Sequence, residues 1–211
     1  MNFRRVCLRV LMAMVLFACK NEKQVQAVTK LPYFNTAAFT PEWGVPKHKI
    51  PPFSFTNQNG LQVTNDTYKG KIYIADFFFT SCPGICPKLT KNMGKIQEAY
   101  KNDPDIMLLS HTVMPWRDSV PLLKAYAEKN KVLDAKWHLV TGDKDALYSI
   151  ARTGYFADED FTKTQDTSNF IHTENFVLVD KEGYIRGVYN GTIEIDVLRL
   201  QRHIKILKEE I

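Results

Sequence analysis

The sequence predicts an α/β fold, with a sheet whose central strand is covered on both faces. Three observations favour this fold. The run from Lys71 to Phe79 is apolar nearly throughout, as in a strand buried on both sides. Segments with helical spacing of apolar residues alternate with further short apolar runs. At 211 residues and 45% hydrophobic content, the chain is long enough to bury one sizeable core.

The elements follow in order from about Ile50. Asn59-Gly60, a dipeptide typical of a tight turn, separates two apolar runs and predicts a β-hairpin. After the hairpin we expect strands at 71–79, 106–110, 137–140, 176–179 and 184–189, and helices through 89–100, 122–127, 146–151 and 195–207. Thr192 is expected to cap the last of these helices. This order is typical of a thioredoxin-like sandwich with an N-terminal β-hairpin and an inserted helix–strand region.

The N-terminus is expected to direct export. Three arginines precede the apolar stretch Val10–Ala18, which is far shorter than the roughly 20 residues that span a bilayer. Small Ala18 directly before Cys19 predicts lipidation of Cys19 as the new N-terminal residue. The alternative is a plain secretory signal with an incidental cysteine. Either way, we expect the protein in the cell envelope, on the extracytoplasmic side of a membrane.

Three regions follow from this pattern. Residues 1–18 are expected to be a signal peptide, residues 19–49 a lipid-anchored tether and docking segment, and residues 50–211 one domain. Within the tether, Leu31–Phe34 and Trp43 are the expected docking points.

Cleavage before Cys19 would change the charge and the cysteine count. Residues 1–18 carry three arginines and no acidic residue, so Lys+Arg would fall from 28 to 25 against 23 acids, and the net charge from +5 to +2. This balance gives no indication of a nucleic-acid surface. Cys7 would leave with the signal, so that Cys82 and Cys86 remain as the free thiols.

Cys82 and Cys86 flank Pro83-Gly84-Ile85 where the central strand gives way to a helix. This is the edge of an α/β sheet at which ligands bind. The i, i+4 spacing predicts that both sulfurs share one face of the first helical turn, where the helix dipole favours thiolate. Thiolate binds soft metals and also attacks disulfides. The motif therefore leaves metal binding, redox chemistry or both open.

His172 is the candidate third ligand. It precedes the strand 176–179, in a loop that this fold brings near the start of the dithiol helix. A structural role for a lone histidine is the alternative. Two thiolates and one imidazole suit Cu(I), whereas structural zinc normally takes four ligands, so copper is favoured over zinc.

The other candidate ligands indicate little. His111 ends a predicted strand and is expected to be a surface side chain. His48, His138 and His203 have no ligand spacing to one another, and Met93 is expected in the core.

A longer motif identifies a family. Its residues are Phe78-Phe79-Thr80-Ser81-Cys82-Pro83-Gly84-Ile85-Cys86-Pro87, Leu109-Ser110, Arg117-Asp118, Trp137, Thr141-Gly142, His172 and Asp180. With these residues the chain resembles the SCO/SenC family of copper proteins, which help assemble the CuA centre of cytochrome c oxidase. The resemblance covers about Ile50 to Ile211.

The resemblance implies that Cys82, Cys86 and His172 bind copper as a metallochaperone does, without a catalytic residue. It implies delivery to the CuA subunit of cytochrome c oxidase or to another copper enzyme. A copper donor protein would load the site, and a thiol reductant would keep the cysteines reduced. Family members often have Asp directly before the histidine, whereas this chain has Ile171.

The alternative function is thiol–disulfide exchange with partner cysteines. Enzymes of that kind place a proline at the start of the strand that opens the late hairpin, but no proline follows Pro121. A peroxidase of this fold would need threonine three residues before Cys82, where Phe79 stands. The two leading functions are compatible, because a Cys82–Cys86 disulfide would abolish copper binding and act as an off switch.

Overall fold

The computed structural model describes residues 29–158 and 173–210, and a seven-stranded sheet organises them. The proposed signal peptide, Cys19 and His172 lie outside these ranges. The strands are β1 (Tyr33–Phe34), β2 (Pro41–Glu42), β3 (Ser54–Asn57), β4 (Gln62–Thr64), β5 (Ile72–Phe78), β6 (Ile106–Thr112), β7 (Trp137–Thr141), β8 (Asn175–Val179) and β9 (Ile185–Asn190). The helices are α1 (Cys86–Tyr100), α2 (Val120–Lys129), α3 (Lys144–Ser149), which continues as a π-helical turn over Ile150–Gly154, and α4 (Glu194–Glu209); a 3-10 turn spans Asn65–Tyr68.

The sheet has the order β4-β3-β7-β6-β5-β8-β9, and β1 and β2 form a separate two-stranded ladder. Strands β5, β6 and β7 are parallel, while β8, β9 and the β3–β4 hairpin pair antiparallel. All seven residues of β5 are buried, as the apolar run predicted. The order confirms the predicted thioredoxin-like α/β sandwich with its N-terminal hairpin.

Two apolar layers cover the two faces of the sheet. Because side chains alternate along a strand, Ile72 and Ile74 face the layer of α1, α2 and α4, while Tyr73, Ala75 and Phe77 face the opposite layer of the hairpin and α3. Both layers continue to the carboxyl end of β5. The chain that leaves β5 therefore starts from a rigid base.

The N-terminal segment is fastened to the domain, as predicted for Leu31–Phe34. The Leu31 side chain is 1% exposed, and the carbonyls of Leu31 and Pro32 accept hydrogen bonds from the buried Arg186 guanidinium. The expectation for Trp43 is wrong, because its side chain is 68% exposed. Trp43 follows β2, which pairs only with β1, so the main sheet does not reach it.

The turn at Asn59-Gly60 and the cap of α4 differ in how well local sequence predicted them. Gly60 has φ +74°, a conformation that glycine adopts without strain, in agreement with the predicted turn. The expected cap of α4 is wrong. Ile193 occupies the N-cap position, and the Thr192 hydroxyl instead donates to the side-chain oxygen of Asn190 at 2.7 Å.

No helix in ranges 29–158 and 173–210 combines the length and the apolar character needed to cross a bilayer.

Candidate functional site

The two cysteines lie on either side of a helix start. After β5 ends at Phe78, the Cys82 N–H donates to the Phe79 carbonyl at 3.3 Å and closes a tight turn. Helix α1 begins only at Cys86, and its first turn tolerates Pro87 because N–H groups there need no helical partner. The expectation that both sulfurs share one helical face is therefore wrong, since Cys82 precedes the helix.

The turn places the thiols beside each other but in different surroundings. Both are free thiols, and the Cys86 S–H donates to the Cys82 sulfur. Cys86 is 4% exposed and belongs to the core layer of α1, whereas Cys82 is half-buried. One sulfur is accessible from outside, and the second lies directly behind it.

The two thiols differ in acidity for physical reasons. Burial raises the pKa of Cys82, but hydrogen bonds from the Cys86 thiol and from the backbone N–H groups of Cys86, Gly84 and Ile85 outweigh it and leave the pKa below its ordinary value. Burial and the hydrogen bond that Cys86 gives to Cys82 raise the pKa of Cys86 to about 12. Thiolate forms first on Cys82, in front of the helix start.

An apolar cavity of about 330 Å³ opens onto the dithiol. Carbon atoms and the two sulfurs supply most of its wall, an environment that favours soft over hard ligands. Thr173, the residue after His172, also lines it. The other lining residues are Phe77, Phe78, Phe79, Cys82, Pro83, Gly84, Ile85, Cys86 and Val113.

The described ranges bring together two of the three predicted ligands. Cys82 and Cys86 are adjacent, and His172 lies outside the described residues. Within those residues no group of three Cys, His, Asp or Glu side chains could hold a metal ion. The described part of the site is therefore a dithiol, which needs at least one further donor to form a three-coordinate centre.

A buried carboxylate whose role the sequence pattern did not predict lies on the face of β5 that packs against α1. Asp76 is 2% exposed and accepts a hydrogen bond from the Ser110 hydroxyl, which accepts one from the indole N–H of Trp137 at 2.8 Å. Burial raises the pKa of Asp76 to about 7, although the Ser110 bond opposes this. The signal was present in the sequence as the single acid in an apolar strand.

A second buried carboxylate, Asp118, holds the turn that leads to Cys82. It is fully buried and accepts hydrogen bonds from Thr80 and from the Thr112 hydroxyl at the end of β6. The motif contained Thr80 and Asp118, but local sequence could not show that they touch.

The expectation that His111 is a surface side chain is wrong. Its ring is fully buried, stacks on Phe77 with centroids 5.0 Å apart, and has no hydrogen-bond partner of normal geometry among the described residues. Burial lowers the pKa of His111 to about 3. The side chain alternation of β6 directs this ring into the layer of the hairpin and α3, away from the face that carries Asp76.

The remaining histidines are engaged elsewhere. His138 bonds the Tyr68 hydroxyl at 2.8 Å, His203 bonds the Tyr189 hydroxyl at 2.8 Å, and His48 bonds the Gly154 carbonyl at 2.7 Å. None of the three lines the dithiol cavity.

The fold and the site define a thioredoxin-like protein with an accessible dithiol at the carboxyl edge of its parallel strands. The SCO1/SenC family model matches residues 44–205, and the chain belongs to that family. It is 32% identical over 149 residues to the SCO1 protein homolog of Bacillus subtilis strain 168, covering 68% of this chain and 75% of that protein.

Solved structures support the same assignment. A SCO1/SenC family lipoprotein from Bacillus anthracis superposes with a TM-score of 0.67 at 29% identity, covering 76% of this chain and 95% of that one. BsSco, a Sco family cytochrome c oxidase assembly protein in which a disulfide switch was identified, gives 0.66 at 27% identity, covering 78% and 95%. Arabidopsis thaliana ScoI with copper bound gives 0.56 at 27% identity, covering 75% and 96%.

Proposed function

We propose that this protein is an exported copper carrier that binds Cu(I) through Cys82, Cys86 and His172 and delivers it to the CuA centre of cytochrome c oxidase. The observation that carries the proposal is the paired thiols in an apolar cavity that Thr173, the neighbour of His172, also lines. Copper-bound and oxidase-assembly relatives agree with this function.

The donor set suits Cu(I). Thiolate is a soft ligand, and the pKa of Cys82 lies below its ordinary value, so this sulfur loses its proton readily. Cys86 has a raised pKa, and Cu(I) must displace its proton to solvent on binding, which makes copper uptake a proton-releasing step.

Chain connectivity supports His172 as the third donor. Thr173 lines the dithiol cavity, and His172 directly precedes it in the sequence. The histidines of the described residues are bonded elsewhere or buried among aromatic rings. His172 is the imidazole that the chain path favours.

The half-buried position of Cys82 suits transfer. A partner thiolate that approaches the accessible side can bind a two- or three-coordinate Cu(I) before Cys82 or Cys86 leaves it, so the ion need not pass through water. The partner class is therefore a copper enzyme, or its donor, that presents cysteine ligands on an exposed loop. A thiol reductant must restore the dithiol after oxidation, because a disulfide has no thiolate to offer.

The proposed location is the extracytoplasmic face of a membrane, with residues 1–18 cleaved and Cys19 lipidated. The similarity to a lipoprotein from Bacillus anthracis supports this. Residues 19–49 would then form the tether, and residues 50–211 the copper-binding domain, with Leu31–Phe34 fastening the tether to it.

Anaerobic Cu(I) titration against a competing chelator tests the proposal. The reduced wild-type protein should bind one Cu(I). Cys82→Ser and Cys86→Ser should each lower the affinity at least about 100-fold, because a hydroxyl is a hard and protonated donor. His172→Ala should lower it about 10- to 100-fold and leave the fold intact.

The matched control is His203→Ala, which removes an imidazole that bonds Tyr189 outside the cavity. Its Cu(I) affinity should equal that of the wild type. If His172→Ala also binds like the wild type, His172 is not a ligand. If both serine variants bind like the wild type, the protein is not a dithiol copper carrier.

A second candidate is thiol–disulfide exchange with partner cysteines, and the unequal acidity of the thiols favours it. An accessible thiol of lowered pKa at Cys82 and a buried thiol of raised pKa at Cys86 match the attacking and resolving roles. Reduction of insulin disulfides by catalytic amounts of the metal-free protein with dithiothreitol is the measurement. Turnover that Cys82→Ser abolishes would support this second function.

A further inference from the structure

The segment that delivers Cys82 is a short turn that a buried carboxylate binds at its second residue. Phe79 to Cys82 form the turn, closed by the 3.3 Å bond from the Cys82 N–H to the Phe79 carbonyl. Thr80 is its second residue. Both hydrogen-bond donors of Thr80 bind the same carboxylate. The Thr80 hydroxyl donates to Asp118 at 2.6 Å, and the Thr80 N–H donates to it at 3.2 Å.

The carboxylate itself is fixed from the opposite side. The Thr112 hydroxyl at the end of β6 donates to Asp118, and the Thr112 oxygen accepts from the Met114 N–H at 3.0 Å. The Asp118 N–H donates to the Met114 carbonyl at 2.9 Å. Asp118 and Thr112 are both fully buried. A rigid group is thus bonded to the end of the sheet and to the turn before Cys82.

We infer that Asp118 is a positioning residue for the dithiol, which acts through Thr80 to keep the Cys82 sulfur beside Cys86 and in front of the helix start. Charged hydrogen bonds in a buried setting are shorter and stronger than neutral ones, so the carboxylate fixes the turn better than an amide would. The link runs from Asp118 to Thr80 and, two residues later, to Cys82. Asp118 itself does not line the cavity.

Because Asp118 fixes the turn, each of the two thiols has a high effective concentration at the other. A turn released from Asp118 samples more conformations, so the two sulfurs meet less often and the disulfide becomes less favourable. The same release weakens the binding of an ion that needs both sulfurs. The second effect rests on the proposed copper function, whereas the first is a property of the metal-free protein.

Equilibration with glutathione measures the first effect. Cys82 and Cys86 lose two electrons and two protons as their S–S bond forms, and oxidised glutathione takes these up as its S–S bond breaks to give two thiols. Mass spectrometry of the peptide that contains both cysteines gives the equilibrium constant in the full chain. Thr80→Val removes the hydroxyl donor with little change of shape and should lower that constant about five- to tenfold.

Thr112→Val is the matched control. It removes a donor to the same carboxylate and also the acceptor for the Met114 N–H, so it should lower the urea midpoint of unfolding at least as much as Thr80→Val. Its thiol–disulfide constant should stay within twofold of the wild type, because the Asp118 N–H still bonds the Met114 carbonyl and both Thr80 bonds to the carboxylate remain. Thr80→Ser keeps the hydroxyl and should restore the wild-type constant.

The outcomes separate a positioning role from a structural one. A constant lowered in Thr80→Val, unchanged in Thr112→Val and restored in Thr80→Ser supports the inference. Equal effects in both valine variants, no effect in Thr80→Val, or no rescue by serine would overturn it. Cu(I) affinity is measured in parallel. If the thiol constant responds while no variant, wild type included, binds Cu(I), the copper function fails and the positioning role stands.

Discussion

The two ends of β5 hold buried charge in opposite ways. At the amino end, Arg186 binds Asp180 at 3.2 Å and also Glu210, and its guanidinium stacks over the Tyr33 ring at 4.3 Å. Towards the carboxyl end, the described partners of the Asp76 and Asp118 carboxylates are hydroxyl and backbone N–H groups, which carry no charge. Arg186, Asp180 and Glu210 form the arginine cluster. Tyr73, near the amino end of β5, pairs with Val179, the residue before Asp180. At the rise of a β-strand, about 3.3 Å per residue, the arginine cluster therefore lies about 20 Å from the thiols.

The two ends of β5 therefore have different roles. The arginine cluster fastens the N-terminal segment between β9 and α4, and a guanidinium with several partners resists rearrangement. The carboxylates near the thiols have only uncharged donors among the described residues, so no cation there favours the ionised form, and burial raises the pKa of Asp76 to about 7. One end of the strand fastens the tether, and the other contains a carboxyl group that responds to pH near neutrality.

Loss of Arg186 from the arginine cluster should change the stability of the protein most. Arg186→Met removes the cation from the buried Asp180, from the partly buried Glu210 and from two carbonyls, and should lower the free energy of unfolding by about 3–5 kcal/mol. Urea unfolding of the metal-free protein measures this. The Cys82–Cys86 glutathione constant should not change, because the cluster lies at the opposite end of β5.

Arg199→Met is the control for that substitution. Arg199 forms a partly exposed ion pair with Asp196 at 3.2 Å, so its loss should cost less than about 1 kcal/mol. Equal losses from both arginine variants would mean that the cluster does not differ from a surface pair.

The next prediction concerns how Asp76, towards the carboxyl end of β5, makes stability depend on pH. Burial raises the pKa of Asp76 to about 7, above the value of about 4 for an unfolded chain. Between these values the unfolded chain loses its proton while the folded protein keeps it. The contribution of Asp76 to stability is therefore highest below about pH 4, falls towards pH 7 by about 1.4 kcal/mol per pH unit at most, and then levels off.

Asp76→Asn removes this dependence while keeping an acceptor for Ser110. Subtracting the two unfolding free energies at each pH cancels the groups that titrate in both proteins. The variant should gain stability relative to the wild type as the pH rises from 4 to 7. A difference that stays constant over that range would show that Asp76 ionises normally in the folded protein.

The last prediction compares the alkylation rates of Cys82 and Cys86. At pH 7 to 8, iodoacetamide should modify Cys82 at least about tenfold faster than Cys86, because the thiolate is the nucleophile and the pKa of Cys86 lies near 12. The Cys82 rate should rise with pH and level off below the ordinary thiol pKa. Peptide mass spectrometry after timed quenching gives both rates, and in urea the two should converge.

Local sequence predicted the fold well because its signals are local. The apolar run of β5, the helical spacing from Leu89 to Tyr100 and the Asn59-Gly60 turn each appear within one stretch of chain. The local signal failed at Thr192, whose hydroxyl donates to the side chain of Asn190 at the end of β9, while Ile193 takes the N-cap position. It failed at His111 as well, because the face of a strand end depends on which layer covers it.

The candidate site divides along the same line. Its sulfur atoms and their soft-metal chemistry follow from residue types and spacing, and the motif was enough to predict the family. Their unequal acidity does not follow, since it arises from where α1 begins and from how deeply Cys86 is buried.

The chain alone determined the order of its elements, the dithiol and the chemistry that two sulfurs allow, because each of these is written in neighbouring residues. Tertiary structure alone decided that Asp118 meets Thr80, 38 positions away, and that Asp76 lies buried with Ser110 as its donor. Burial and long-range hydrogen bonds depend on which surfaces the fold brings together. No short stretch of sequence contains both partners.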